Sequence, residues 1–314
     1  MITLDLRHAI GRLTAVGPGP NGTPDPGLRP GGEPGQYASS VAFGLASRAG
    51  GTPGQIAARL AARLEGEEPW IAKAAVTGQG YVTVTVTPEA LGGVAHRVAA
   101  AGPGCVRSDA LAGRTFAGQA HAAPWEEAAT WDEARELLAA EVIPRLAEAA
   151  GAAAGEAGGA SGIDGGGERD TPDGRDRTIR SGGGQAVVAA AVAFAGRDAV
   201  RFSLARAMPG QPVAIDPRMI ARHHLANPAY AVRYAHARAA SGVRWAAAAN
   251  PDQAGPQRPS ADPGEEALLD ALSWLPERVA TAARRGRPDE FARYLEHVAD
   301  VTLAALTRAR EQSP

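Results

Sequence analysis

Residues 197–244 combine basic and aromatic side chains in a pattern that suits contact with RNA. The stretch holds eight arginines and two aspartates, which gives a local charge of +6 in a chain whose net charge is −2. Guanidinium groups pair with phosphates, and tyrosine rings stack on unpaired bases. On a helix that begins near residue 227, Tyr230, Tyr234 and Arg238 are four residues apart and share one face. A separate apolar stripe of the same helix consists of Val232, Ala235, Ala239 and Val243.

The sequence therefore predicts an RNA-binding face, and its candidate members are Arg201, Arg222, Tyr230, Arg233, Tyr234, His236 and Arg238. A structural interpretation of the same residues stays open beside it. In a bundle of small side chains, the two tyrosines would be large core residues and the arginines would only be solvated. For His236, burial as a hydrogen-bonded imidazole is the favoured interpretation, and contact with RNA is the alternative.

Other chemistries find no support in the residue pattern. Residues 17–22 match G-x-G-x-x-G by letters, but two prolines and a preceding helix deny them the strand–helix setting of a dinucleotide site. No Gly-Lys pair exists for a phosphate-binding loop. His223 and His224 are adjacent, so they point about 100° apart on a helix, and no cysteine or carboxylate nearby completes a metal set. The lone Cys105 is interpreted as a small core residue. Taken together, these patterns predict no catalytic residue, no cofactor and no metal.

Composition narrows the class of protein further. The 314 residues include a single cysteine, which excludes an internal disulfide framework and favours a reducing, cytoplasmic setting. The longest apolar run, residues 186–195, is about half of a membrane span, so membrane insertion is not expected. Of the 32 basic residues, 31 are arginine and the only lysine is Lys73. No mechanism that needs a lysine after residue 73 can therefore be drawn.

Local periodicity predicts mixed helix and loop structure in the first sixty residues. A short helix at 3–13 precedes a loop at 17–35 that is rich in Pro and Gly. Apolar residues then recur every three or four positions over 38–64, with a Gly-Gly-Thr-Pro break, which indicates a helical hairpin.

A β-hairpin follows this helical pair. Runs at 71–76 and 81–86 are rich in β-branched residues, and Thr-Gly-Gln-Gly separates them. Pro88 then opens a helix that extends to about residue 101. Residues 1–114 are therefore predicted to form an α+β domain with a small antiparallel sheet and helices.

The rest of the chain is predicted to be helical apart from one linker. Residues 115–150 contain an acidic amphipathic helix, and the Gly-rich stretch 151–184 is predicted to be a flexible, disordered linker. Residues 185–314 are predicted to form an all-α helical bundle. Two apolar stripes support the bundle: Leu268, Leu269, Leu272 and Leu275, ending at Pro276, and Phe291, Leu295, Val298, Thr302 and Leu306.

Two segments resemble a known family. Residues 35–42 read Gly-Gln-Tyr-Ala-Ser-Ser-Val-Ala, and residues 76–82 read Val-Thr-Gly-Gln-Gly-Tyr-Val. In order and spacing they are similar to the N-terminal domain of arginyl-tRNA synthetases. Residues 198–202 and 227–238 read Asp-Ala-Val-Arg-Phe and Asn-Pro-Ala-Tyr-Ala-Val-Arg-Tyr-Ala-His-Ala-Arg. They resemble the start and a central helix of the DALR anticodon-binding domain of the same family.

The resemblance covers roughly residues 1–114 and 197–310, and the family's class I catalytic domain has no counterpart between them. That domain uses His-x-Gly-His and a lysine-containing Lys-Met-Ser-Lys-Ser-type loop. The seven histidines here include no pair three residues apart, and Lys73 lies in the N-terminal part. The resemblance therefore implies a protein that is not an aminoacylating enzyme.

The resemblance also implies site residues in the hairpin. Where the family commonly has Phe and Asn, which contact the tRNA D-loop in some members, this chain has Tyr81 and Thr83, so the aromatic is kept and the amide is lost. The helical domain is expected to be shortened at its C-terminal end relative to the family, which puts recognition of an arginine anticodon in doubt.

Three functions follow, in order of preference. The first is a non-catalytic anticodon-binding protein for tRNA, with arginine tRNA as one candidate, or for tRNA-like RNA. The second is a protein-interaction or regulatory module that docks on a partner such as the full-length synthetase, with Leu137, Leu138, Val142 and Leu146 as a candidate binding face. Arginine–tRNA ligase activity is the third.

Overall fold

A four-stranded antiparallel sheet organises the N-terminal part of the protein. The computed structural model describes residues 1–14, 25–117, 123–155, 187–249 and 262–311. The strands, in sheet order, are β1 (Leu28–Pro30), β2 (Gln36–Ser39), β4 (Tyr81–Val86) and β3 (Ile71–Thr77). In β4, Val82, Val84 and Val86 are buried while the alternate residues are partly exposed, as the Val-Thr alternation predicts.

Four helices share a hydrophobic core with this sheet, and all four were expected from the sequence. They are α1 (Ile2–Thr14), α2 (Val41–Ala49), α3 (Pro53–Glu67) and α4 (Pro88–Ala101). Local signals explain where two of them begin. Thr52 and Gln55 form a reciprocal capping box at the start of α3, and the Thr87 hydroxyl accepts a hydrogen bond from the Ala90 amide at the start of α4.

The sequence prediction missed β1 and β2, which lie where a loop and the start of a helix were expected. Both strands are short and exist because they are paired: Tyr37 in β2 opposes Val84 in β4, and Pro30 in β1 opposes Tyr37. Pro30 is tolerated because β1 is the edge strand of the sheet. Tyr37 and Ser39 are buried, so β2 contributes to the core although its sequence lacks a strand pattern.

The acidic amphipathic helix predicted within residues 115–150 is preceded by a separate short turn. A 3-10 turn covers Trp125–Glu127, and α5 (Trp131–Ala149) begins where the Thr130 hydroxyl accepts a hydrogen bond from the Glu133 amide. Two unpredicted strands, β5 (Thr115–Ala117) and β6 (Ala153–Gly155), pair in parallel. β6 therefore occupies the first part of the predicted linker, and the remainder of that linker, from residue 156, lies outside the described residues.

The C-terminal part is helical, as predicted. Its helices are α6 (Val187–Ala195), α7 (Arg197–Arg206), α8 (Pro217–Ile220), α9 (Pro228–Ala249), α10 (Pro263–Ser273), α11 (Leu275–Arg285) and α12 (Pro288–Glu311). Pro276 does not end a helix. It lies in the first turn of α11, where its missing N–H is not needed. None of the helices among the described residues combines the length and apolar composition that crossing a membrane requires.

The sheet and the helices α10–α12 share one hydrophobic core. Leu269, Trp274 and Tyr294 pack in the same cluster as Tyr37 and Leu64. The Tyr37 and Trp274 ring centroids are 5.3 Å apart. Polar contacts reinforce this junction: the Tyr37 hydroxyl lies 2.7 Å from the Ser273 hydroxyl, and the Thr3 hydroxyl donates to the Ser273 carbonyl over 2.7 Å. The two predicted domains are therefore packed directly on each other.

Candidate nucleic-acid interface

A buried asparagine fixes the loop that leads into α9. The side-chain amide of Asn227 donates to the carbonyls of Ile220 and Arg222 over 2.7 Å and 2.8 Å, and its backbone amide donates to the His224 carbonyl over 2.8 Å. Pro228 follows as the first residue of the helix. The Asn-Pro pair therefore holds the segment between α8 and α9 against the start of α9.

This loop places an imidazole on the tyrosine face of α9. The ring centroids of His223 and Tyr230 are 5.4 Å apart with planes 14° from parallel, and those of Tyr230 and Tyr234 are 5.6 Å apart at 18°. The two tyrosines are half-buried and His223 is exposed. We call these three rings the aromatic stack. Its outer surface is open, so an unpaired base can stack against it.

The arginines of the region fall into two groups. On α7, Arg197, Arg201 and Arg206 form ion pairs with Glu126, Glu141 and Glu296, at 2.6 Å, 3.0 Å and 2.5 Å. Arg201 is therefore already paired, with a carboxylate 60 residues away in sequence, and its contact with RNA stays a prediction. The remaining group consists of Arg218, Arg222, Arg233, Arg238 and Arg244.

Those five arginines surround the aromatic stack in sequence and form the basic surface. All five are exposed, and no carboxylate of the described residues forms an ion pair with their guanidinium groups. Asp216 is the only acidic residue from 216 to 244, which leaves a charge of +4 there, and no acid follows until Asp252. A concentrated positive charge without internal partners is the electrostatic pattern of a phosphate-binding surface.

His236 does not belong to this face. It is exposed, so the expected burial is wrong. Two residues along a helix correspond to about 200°, so His236 projects from a different side of α9 than Tyr234. Tyr230, Tyr234 and Arg238 therefore follow one another at four-residue intervals along one side of α9, while His236 lies away from the tyrosines and next to Arg233.

The buried side of α9 differs from the predicted stripe. Ala229, Ala231 and Ala235 are buried, and the helix packs against α12. Val243, the last member of the predicted stripe, is 71% exposed because the C-terminal part of the helix extends beyond this contact. Small alanines allow close approach of the two helices.

A cleft lies beside the start of α9. Its volume is about 560 Å³, and its walls include Phe202, Ile215, Met219 and Ala229. Met219 is 50% exposed. Asn227 also lines the cleft, so the residue that positions His223 also shapes this recess.

The candidates in the N-terminal hairpin are partly engaged by neighbours. The Tyr81 ring contacts the Phe43 ring edge-on, with centroids 5.1 Å apart, and both side chains remain partly exposed. The Thr83 hydroxyl lies 2.9 Å from the Thr77 hydroxyl across the hairpin. Tyr81 and Thr83 share the face of β4 opposite the buried valines, and they lie in the sheet rather than in the helical part.

The remaining sequence predictions concern catalysis and metals. Cys105 is half-buried in a 3-10 turn, Gly102–Val106. Within the described ranges, no three His, Cys, Asp or Glu side chains are grouped closely enough to hold a metal ion. Residues 17–22, which match the dinucleotide pattern by letters, lie outside the described residues.

Comparison with known proteins finds matches at both ends of the chain. Residues 3–86 match the family profile described as the arginyl tRNA synthetase N terminal domain, and residues 232–307 match the DALR anticodon binding domain. The second match includes Arg233, Tyr234 and Arg238 of the interface. No solved structure matches this chain.

Curated relatives match the N-terminal third of the chain. The arginine–tRNA ligase of Paenarthrobacter aurescens is 38% identical over 109 residues, which cover 34% of this chain and 20% of the relative. The arginine–tRNA ligase of Bifidobacterium longum is 41% identical over 109 residues, covering 34% of this chain and 18% of the relative. The chain thus spans about a fifth of the length of these relatives. It is a protein related to arginyl-tRNA synthetases that carries a domain of their N-terminal type and a DALR anticodon-binding domain.

Proposed function

We propose that the protein binds tRNA or a tRNA-like RNA through the aromatic stack and the basic surface. One observation carries the proposal: three nearly parallel rings stack in a segment whose five exposed arginines have no ion-pair partner among the described residues. Half of this surface falls in the segment that matches the DALR anticodon binding domain. Arginine tRNA is the first candidate because the curated relatives are named as arginine–tRNA ligases. The proposed setting is the cytoplasm.

Fluorescence anisotropy with labelled total tRNA at low salt tests this proposal. We expect binding at micromolar protein, and an affinity that falls as salt rises because phosphate contacts release counterions. The control for loss of one positive charge outside this surface is Arg285→Ala. Arg285 is exposed at the end of α11 and is paired with Glu290 of α12. The affinity of this variant should equal that of the wild type. Failure of the wild type to bind below tens of micromolar would contradict the proposal.

We further propose that the protein does not aminoacylate tRNA. The developing charge of adenylation is stabilised in this family by lysines of a mobile loop, and the chain has no lysine after Lys73. No two of its histidines are separated by three positions, as the His-x-Gly-His motif requires. Arginine-dependent ATP–pyrophosphate exchange in the presence of tRNA should stay at background. Exchange above background would overturn this part of the proposal.

Docking on a protein partner, such as a full-length synthetase, is the second candidate function. Its support is the amide missing at Thr83 and the overall net charge of −2. The helix face predicted for such docking is occupied, because Leu138 is buried and Leu137, Val142 and Leu146 pack against cores of the protein itself. Pull-down from lysate with and without nuclease separates the two functions, since an RNA-bound complex is lost on nuclease treatment and a protein complex survives it.

A further inference from the structure

Trp245 is left in water by the fold. Of the five tryptophans, Trp125 and Trp274 are buried, Trp70 and Trp131 are half-buried, and Trp245 is 75% exposed. It is the most exposed large apolar side chain among the described residues. An exposed indole forgoes the hydrophobic gain of burial, and tryptophan is enriched at interfaces, so Trp245 is a candidate contact residue.

The helix places Trp245 on the face of the aromatic stack. It lies eleven residues after Tyr234, which corresponds to three turns plus about 20°. Arg244 stands in the same relation to Arg233, so an Arg-aromatic pair occurs twice on α9 with the same orientation. The two aromatic positions are separated by about 16.5 Å along the helix axis.

We propose that Trp245 is a second stacking platform, and that α9 binds an unpaired RNA segment that runs from the aromatic stack to Trp245. This inference rests on the proposed function and extends it. At about 3.4 Å per stacked nucleotide, the separation corresponds to about five nucleotides. The partner is therefore an RNA with a single-stranded segment of at least this length.

Charge supports RNA over a protein as the occupant of this face. Arg238 lies between the two aromatic positions and Arg244 lies beside the second, and both guanidinium groups have no ion-pair partner in the described part of the chain. No acidic residue occurs from 217 to 251. Alternating cationic and aromatic groups match the alternating phosphates and bases of a single strand.

Two lengths of labelled oligoadenylate RNA test the inference: four nucleotides, which reach one platform, and twelve, which span both. Trp245→Ala should weaken binding of the twelve-nucleotide strand by about 5- to 150-fold, the equivalent of one base–aromatic stack of 1–3 kcal/mol. Binding of the four-nucleotide strand should stay close to wild type. Trp245→Phe should restore most of the lost affinity, because a phenyl ring still stacks.

Val243→Ala is the matched control. Val243 is 71% exposed on the same turn of α9 but projects from the other side of the helix. Val243→Ala should leave binding of both strands unchanged. Melting curves should show that neither Val243→Ala nor Trp245→Ala alters the fold. Arg244→Ala should lower the salt slope for the long strand by about one unit and leave the short strand unaffected.

The outcomes separate the inference from the proposed function. If Tyr234→Ala weakens both strands while Trp245→Ala changes neither, RNA binding stands and the second platform is wrong. If the wild type binds neither the oligonucleotides nor tRNA, both are wrong. If Trp245→Ala instead removes a nuclease-resistant protein from a pull-down and leaves RNA affinity unchanged, this face docks a protein and the inference is overturned.

Discussion

Single residues of α9 are expected to contribute to RNA affinity in two distinguishable ways. Arg233→Ala or Arg238→Ala should lower the slope of log affinity against log salt by about one unit, because each removes one phosphate contact. Tyr234→Ala should weaken binding by about 1–3 kcal/mol with little change in that slope, because stacking releases no counterions. Anisotropy titrations at several salt concentrations measure both quantities.

Damage to the fold could imitate the tyrosine effect, since Tyr234 is half-buried. A melting curve for each variant is the control. If Tyr234→Ala melts much earlier than the wild type while the arginine variants bind normally, the tyrosine face is structural.

Asn227 is expected to act on RNA only through the loop that it holds. Asn227→Ala leaves the carbonyls of Ile220 and Arg222 without their buried donor, at a cost of about 1–3 kcal/mol in unfolding free energy. It should also weaken RNA binding about as much as His223→Ala, because the imidazole is no longer held against Tyr230. The double variant should bind no worse than either single variant, a non-additivity that a double-mutant cycle detects. Additive losses would show that Asn227 and His223 act independently.

Residue-level features were predictable where they depend on local spacing. The four-residue interval of Tyr230 and Tyr234 gave their shared face correctly, because helix geometry alone decides it. The contact of His223 with Tyr230 depends on how the loop folds back, and the pairing of Arg201 with Glu141 joins distant segments. Neither leaves a signal in the local sequence. The one indication in the sequence that His223 contacts this helix was its position four residues before Asn227, where the helix starts.

The β3–β4 hairpin allows a test at the scale of an element. Both of its turn glycines have positive φ, 59° at Gly78 and 150° at Gly80, but only Gly80 faces another element. A Cβ there would lie 2.6 Å from the Cβ of Pro53 at the start of α3. Gly78→Ala should therefore cost about 1–2 kcal/mol through backbone strain, and Gly80→Ala should cost more because overlap with Pro53 is added. Midpoints of denaturant unfolding compare the two, and equal shifts would contradict the proposed clash.

Elements with strong local signals were predicted with close boundaries, and the others were not. The Val-Thr alternation and the Thr87-Pro88 start identified β4 and α4 because the pattern and the cap lie within a few residues. β1 and β2 have three and four residues, too few for periodicity to show. They become strands through pairing with β4, which is a long-range condition.

At the scale of the whole molecule, the two predicted domains share a hydrophobic core in addition to the chain that connects them. Leu269, Trp274 and Tyr294 complete a core whose other buried members precede residue 100. The sequence indicated apolar stripes on the C-terminal helices, but an apolar stripe does not specify the element against which it packs. The same junction contains Asp270, whose carboxylate accepts a hydrogen bond from the Gly35 amide over 3.0 Å, so a titratable group lies between the N-terminal part and α10.

That position makes the stability of the junction depend on pH. Burial raises the pKa of Asp270 above its ordinary value. A carboxyl group with a raised pKa favours the folded state below the ordinary pKa of about 3.9, and this contribution is lost as pH rises through the folded-state pKa. Asp270→Asn keeps an oxygen for the Gly35 amide and removes the titration. The melting temperature of the variant minus that of the wild type should therefore become more positive between pH 4 and pH 7.

Asp289→Asn is the matched comparison with the opposite sign. Burial acts to raise the pKa of Asp289, but hydrogen bonds from Arg287 and the charges of Arg287 and Arg293 outweigh it and hold the pKa below its ordinary value. Its contribution to stability is present above the ordinary pKa and is lost as pH falls through the folded-state pKa. The melting-temperature difference for this variant should become more negative as pH rises to about 4 and should then stay nearly constant up to pH 7. If the melting-temperature differences of the two variants changed with pH in the same direction, Asp270 would not be held in a desolvating junction. The two parts of the molecule would then be packed less closely around Asp270 than the shared core requires.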